Sequence, residues 1–317
     1  MEKTMENTAA TKKSLKVMMI GNSFSICVGK NFPAIVRDIE GLDLVLGSAY
    51  IGGCSLETHW RNLDAILQNP DAPEKEAYLL NVWNSENPEN NWECRGTVKQ
   101  LLEAEDWDII SIQQASHCSS FSETYQPWAD QLLDYLHRTA PRAKVVIQQT
   151  WAYRSDDGRI TDLGEPQWGF HQNGMYERLT ASYRKLAEHA GCFVIPTGLA
   201  VQLTRQHDSL KFKETPAEQK ALLAWPDLPA QAGDPVGRSF WWKNEEGELH
   251  LSADTIHLNV RGEYLQACVW FRSLFGLSAG KYITYESNVV SRNDCIFLRK
   301  MADLAVDNFE QYVPLYD

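Results

Sequence analysis

The chain has 317 residues, 44% of them hydrophobic, enough to bury one large core or two small ones, and its composition matches no disordered, collagenous or coiled-coil class. A formal net charge of −12 repels phosphate backbones and anionic lipid, so nucleic acid and membrane surfaces are excluded as partners. Seven cysteines, scattered and without a CxxC pair, argue against a zinc site and against a disulfide framework, and fit a reducing compartment.

The start, Met1 to Lys16, is polar and lacks the apolar core of a signal peptide. Residues 1–14 are expected to be disordered or loosely held, and the protein to be cytoplasmic unless the sequence begins after a removed export signal. The first apolar run, Leu15 to Ile20, stops at Gly21 and reads as a buried strand of a parallel sheet. Asn31 to Ile39 predicts a helix with Pro33 near its first turn. Leu42 to Tyr50 predicts a second strand, closed by Gly52-Gly53, and Leu56 to Leu67 has helical spacing. Glu76 to Arg95 is irregular and reads as an excursion from the sheet, a hairpin or a long loop. Thr97 to Glu103 is a short helix, Trp107 to Gln113 a strand, Thr124 to Arg138 a helix and Ala143 to Gln149 a strand. Arg154 to Phe170 is a loop, Gly174 to Ala190 a helix and Cys192 to Pro196 a fifth strand. Pro226 to Asp234 reads as an insertion loop, and Ser239 to Trp242 with Glu248 to Leu251 as a small hairpin. Asn259 to Phe275 and Asp294 to Val313 are the last helices. This alternation implies βαβ units and a parallel sheet covered on both faces. No linker separates domains, so residues 15–317 are expected to form one domain with insertions around 76–95 and 208–250.

In open parallel sheets the functional groups gather at the carboxyl ends of the strands. After the first strand comes Gly21-Asn22-Ser23-Phe24; after the second, Gly52-Gly53-Cys54-Ser55; after the third, Gln113-Gln114-Ala115-Ser116-His117. Late in the chain comes Asp254-Thr255-Ile256-His257-Leu258-Asn259. A carboxylate three residues before a histidine can fix the imidazole tautomer and leave the second ring nitrogen as a base. Taken alone, Asp254 is better explained as a helix cap; a serine at the end of the first strand reverses that balance. Ser23 can be a nucleophile once a base takes its proton, or a simple turn or capping residue. Gly53 can present an exposed N–H, and Gln113 or Gln114 a side-chain NH2, to a developing oxyanion.

These four segments in this order resemble the four blocks of the SGNH (GDSL-like) hydrolase superfamily, nearer its carbohydrate-esterase branches. Gly21-Asn22-Ser23-Phe24 is similar to the G-D-S-L block, with Asn22 in place of aspartate. Gly53 is similar to the second-block glycine. Gln113-Gln114 lies where the third block carries asparagine, and Asp254 to His257 matches the D-x-x-H block, with Leu258-Asn259 and Gly262 continuing it. The resemblance implies an α/β fold, a flavodoxin-like three-layer α/β/α sandwich with a central parallel sheet of about five strands. It also implies a cofactor-free and metal-free acyl transfer. Ser23 would be the nucleophile, His257 the base and Asp254 its orienting acid, with Ser23, Gly53 and Gln113 or Gln114 as oxyanion donors.

The substrate expected is a short-chain, acetyl-type ester on a small molecule or glycan. Eleven Trp and twelve Tyr supply flat surface of the kind that stacks on sugar rings, among them Trp151, Tyr153 and the Trp241-Trp242 pair. Asn22, His59, Trp151 and Tyr153 are candidate substrate-binding residues. The alternatives are a thioesterase or lipase on the same three residues, and a non-catalytic glycan-binding protein.

Overall fold

The computed structural model describes residues 13–89, 92–230 and 233–311. In chain order its first part holds strand β1 (Lys13–Gly21), the one-turn helix α1 (Ser23–Ile26), α2 (Phe32–Arg37), β2 (Leu42–Tyr50), α3 (Leu56–Gln68), β3 (Tyr78–Asn84), β4 (Trp92–Gly96), α4 (Val98–Ala104), β5 (Ile109–Ile112) and α5 (Trp128–Thr139). There follow β6 (Lys144–Gln148), α6 (Gln172–Ala190), β7 (Val194–Ile195), α7 (Thr197–Arg205), α8 (Ala217–Lys220), β8 (Val236–Lys243), β9 (Leu249–Leu258), α9 (Val260–Phe275), α10 (Ala279–Tyr282) and α11 (Arg292–Asn308).

Seven strands form one sheet in the order β4-β3-β2-β1-β5-β6-β7. Five of them, β2, β1, β5, β6 and β7, are parallel. Counted among themselves they run 2-1-3-4-5, the flavodoxin-like order, whose switch point here lies between β1 and β5. The apolar run of β1 is central for a plain reason: Val17, Met18 and Met19 are wholly buried between two helical layers. On one side α2, α7, α9 and α11 pack on one another, and elsewhere α3 packs on α5. Trp270 and Phe271 of α9 and Phe32 of α2 are among the largest buried side chains. No helix among the described residues is long and apolar enough to cross a membrane.

Several boundaries differ from those the sequence suggests. Residues 1–12 of the expected loose start lie outside the described residues. Lys13 and Ser14 belong to β1 and pair with Leu42 and Asp43. The segment 76–95 does not leave the sheet. It supplies β3 and β4, which extend the sheet as an antiparallel hairpin beyond β2. Tyr78 and Leu80 bury their side chains there, while the polar residues that mask the strand pattern, Glu86 and Asn87 among them, sit exposed in the connection. Helix α7 starts directly after Pro196, where the sequence suggests only the end of a strand. Helix α11 closes at Asn308, and residues 312–317 lie outside the described residues. The expected small hairpin extends much further from its turn: β8 and β9 pair from Val236 with Leu258 to Lys243 with Leu249. Asp254 and His257 thus stand on the last part of β9, just before α9.

Candidate active site

Ser23 follows β1 by two residues and opens α1 at the switch point of the sheet. Gly21 is needed here for space, since a Cβ at this position would lie 2.3 Å from Ser25 Oγ and 3.4 Å from the Gln113 side chain. Asn22 is 1% exposed. Its Oδ1 accepts from Phe24 N (3.0 Å) and from Gln113 Nε2 (2.7 Å), and its Nδ2 donates to the Cys54 carbonyl (2.9 Å). Asn22 therefore ties together the ends of β1, β2 and β5 and caps α1. The sequence expectation places Asn22 against substrate; its burial and these three bonds put its side chain beneath the site instead.

The structure brings Ser23, His257 and Asp254 into one hydrogen-bonded row. Ser23 Oγ lies 2.9 Å from His257 Nε2, and His257 Nδ1 lies 2.9 Å from Asp254 Oδ2. Asp254 Oδ1 also accepts the backbone N–H groups of Ile256 and His257, each at 3.0 Å. Partial burial by itself would raise the Asp254 carboxyl. The bonds from the His257 ring and from the two amides outweigh it and hold the group well below the usual carboxylate range. Asp254 is thus ionised wherever the imidazole is to be oriented.

Neighbours of this row fix its geometry. The Arg154 amide donates to the Thr255 carbonyl (2.8 Å), Thr255 Oγ1 donates to Asp157 (2.6 Å), and Trp151 Nε1 donates to the Ile256 carbonyl (2.9 Å). Phe24 stacks on Trp151 at 4.0 Å and meets the His257 ring at 5.7 Å. Asn259 caps α9 through Arg261 N and Gly262 N and also donates to the carbonyls of Asp234 and Gly237. The bonds made by Thr255 and Asp157 have no sequence signal, since one residue sits at a variable place inside a motif and the other in a loop.

A cleft of about 180 Å³ opens beside the row and is lined by Ser23, Cys27, Arg238, His257 and Leu258 among others. The His257 side chain is 39% exposed there, so its ring can reach a bound molecule. Cys27 is not a rival nucleophile, because burial pushes its thiol up to about 12; burial does the same at Cys54.

The other expected site residues divide. Gly53 sits exposed after β2 with φ +64°, a left-handed conformation suited to glycine. The two glutamines do not offer their NH2 groups to a ligand. Gln113 Nε2 is held by Asn22, and Gln114 Nε2 by the Thr124 carbonyl and hydroxyl (3.0 and 3.2 Å). Gln114 Oε1 accepts from Leu56 N and Ala115 N, both at 2.9 Å. These side chains brace the strand ends that carry the site. Trp151 and Tyr153 are wholly buried, so neither ring is a stacking surface; Tyr153 OH bonds to Ser116 Oγ (2.9 Å). His59 is also wholly buried, with Nδ1 3.0 Å from Tyr78 OH. These residues lie at strand ends or early in a helix, where a sequence pattern does not separate the layer under a site from the site itself.

A family model described as a domain of unknown function (DUF4886) matches residues 16–214. The match contains Ser23 and Gly53 and stops before β8 and β9. No curated protein matches the chain significantly. Among solved structures, a DUF4886 family protein from Bacteroides uniformis superposes with a TM-score of 0.73 at 24% identity, over 96% of this chain and 98% of that one. A candidate SGNH hydrolase from Slackia heliotrinireducens gives a TM-score of 0.43 at 17% identity, over 81% and 97%. A catalytic mutant of an acetylxylan esterase from Geobacillus stearothermophilus gives 0.42 at 12% identity, over 87% and 97%.

Proposed function

This chain belongs to the DUF4886 family, and we propose that it is a serine esterase hydrolysing a short-chain, acetyl-type ester carried on a carbohydrate. The observation behind this reading is the row Asp254–His257–Ser23, with 2.9 Å at both steps and its serine at the sheet's switch point. Ser23 Oγ attacks the ester carbonyl carbon while its proton passes to His257 Nε2. Asp254 stays ionised and stabilises the imidazolium that forms. The backbone N–H groups of Ser23 and Gly53 are the donors for the oxyanion; with both glutamine amides held inside the fold, no side-chain donor is assigned. His257 returns the proton to the departing alcohol, which leaves acyl-Ser23. Water then attacks the acyl carbon, gives its proton to His257, and the acid leaves as Ser23 Oγ recovers that proton.

The small, open cleft favours a short acyl group over a long one, which would need an enclosed apolar channel. A series of aryl esters from acetate to palmitate checks this. Acetate is expected to have the highest kcat/KM, falling by at least about tenfold per two to four added carbons once the cleft is filled. A rising trend toward long acyl groups would instead make the protein a lipase or long-chain thioesterase, and hydrolysis of none of the series would remove the esterase reading.

A further inference from the structure

One exposed face of the β8–β9 hairpin leads outward from the cleft. Residues opposite each other in an antiparallel pair share a face, as do alternate residues of one strand. The register Arg238–Asp254, Phe240–Ser252, Trp242–His250 therefore puts Arg238, Phe240 and Trp242 on the face that carries Asp254. Arg238 lines the cleft together with Ser23 and His257. Beyond it, Phe240 is 39% exposed and Trp242 45%.

Trp242 is held in place. Its Nε1 donates to Ser252 Oγ (2.8 Å), and its ring stacks on His250 at 5.1 Å and 30°. His250 Nε2 in turn lies 3.2 Å from Asn244 Nδ2. The opposite face is engaged by the chain itself, for Trp241 Nε1 donates to the Asp227 carbonyl at 2.8 Å. The exposed rings thus form a pre-ordered row with a step of about 6.8 Å between successive same-face residues, starting at the cleft.

We propose that this face is the platform for the glycan chain that bears the ester. Successive sugar rings stack on Phe240 and Trp242 while Arg238, Ser252 and His250 bond to their hydroxyl groups. A fatty acyl chain or a lipid surface gains from continuous apolar area. Here every ring is flanked by a polar side chain, and a molecule with flat apolar faces and a polar edge fits that alternation. Two rings in a row beyond the cleft call for an oligosaccharide of about three units rather than a monosaccharide. The proposal rests on the esterase reading only for the position of the ester at Ser23.

Binding to the Ser23→Ala protein tests the platform without turnover. The probes are partially acetylated oligosaccharides of one to six units, prepared from cellulose, xylan and chitin, followed by calorimetry. Affinity is expected to rise with length to about three units for at least one backbone. Phe240→Ala and Trp242→Ala are each expected to weaken it about tenfold, and Trp242→Phe to restore most of the loss. With Ser23 present, the kcat/KM ratio of oligosaccharide to aryl acetate should fall by a similar factor in the two alanine variants. Binding that ignores length or ring loss on all three backbones would overturn the platform, as would equal loss on both substrates. If ring-dependent binding holds but no ester is cleaved, the platform stands and the esterase reading fails. If Ser23-dependent cleavage holds and binding ignores the rings, the platform fails and the esterase reading stands.

Discussion

Ser23→Ala and His257→Ala are each expected to lower kcat on aryl acetate by roughly 10⁶-fold, and the double variant by no more than either alone. The reason is that nucleophile and base act as one unit. Without the imidazole at 2.9 Å the hydroxyl keeps its proton, and without the hydroxyl the base has nothing to deprotonate. Asp254→Asn should cost less, roughly 10⁴-fold. It keeps the shape of the side chain but replaces the acceptor facing His257 Nδ1 with an amide that can donate, which favours the wrong tautomer. Steady-state kinetics on the four variants check this, with circular dichroism as the control for folding. Losses that multiply in the double variant would mean that Ser23 and His257 contribute independently, which the shared proton does not allow.

A second large effect concerns acid stability. Burial pushes the His59 imidazole down to about 3 from an ordinary value of 6.5, and its Nε2 has no hydrogen-bond partner. The folded-state value is the lower one, so on acidification the unfolded chain takes up the proton first. The stability linked to neutral His59 is complete above about pH 6.5 and is lost progressively as pH falls toward 3. At pH 4.5 the loss from this one group is about 2–3 kcal/mol. Urea unfolding of the native protein and of His59→Gln at pH 7 and pH 4.5 isolates it, because each protein is compared with itself. The native protein should lose about 2–3 kcal/mol more than the variant. Equal losses would show that His59 is not held neutral by burial.

His59 also shows what a single sequence conceals. Its neighbours, His59-Trp60 at the start of a helix following the second strand, look the same whether the ring faces a ligand or the core. Only the packing of Tyr78 against it, at 5.7 Å between ring centroids, decides the matter, and Tyr78 comes from the β3–β4 hairpin whose strand pattern is hidden by the polar residues of its connection. The parallel core is legible because buried strands are written as continuous apolar runs, Leu15 to Ile20 being one. Ser23, Asp254 and His257 are legible because each stands in a recognisable motif, but their meeting is not, since β9 forms a separate two-stranded sheet with β8 and only the packing of that hairpin against α1 brings His257 to Ser23. Gln113 and Gln114, expected as oxyanion donors, and Asn22, expected as a substrate contact, bond within the fold: a buried amide has several possible partners, and the bond it forms depends on loops distant in sequence, such as the Thr124 carbonyl that takes the Gln114 NH2. Arg238 could not be found beforehand, since its place in the cleft depends on its pairing with Asp254 across the hairpin.

The most direct measurement of the central claim is covalent. A fluorophosphonate reacts with a serine whose proton is taken by a neighbouring base and whose developing oxyanion is stabilised. Incubated with the intact protein at neutral pH, it is expected to modify one site per chain, found by mass spectrometry on Ser23, and to leave Ser23→Ala and His257→Ala unmodified. A folded protein that takes up no probe, or that takes it up at another residue while Ser23 stays free, would contradict the account.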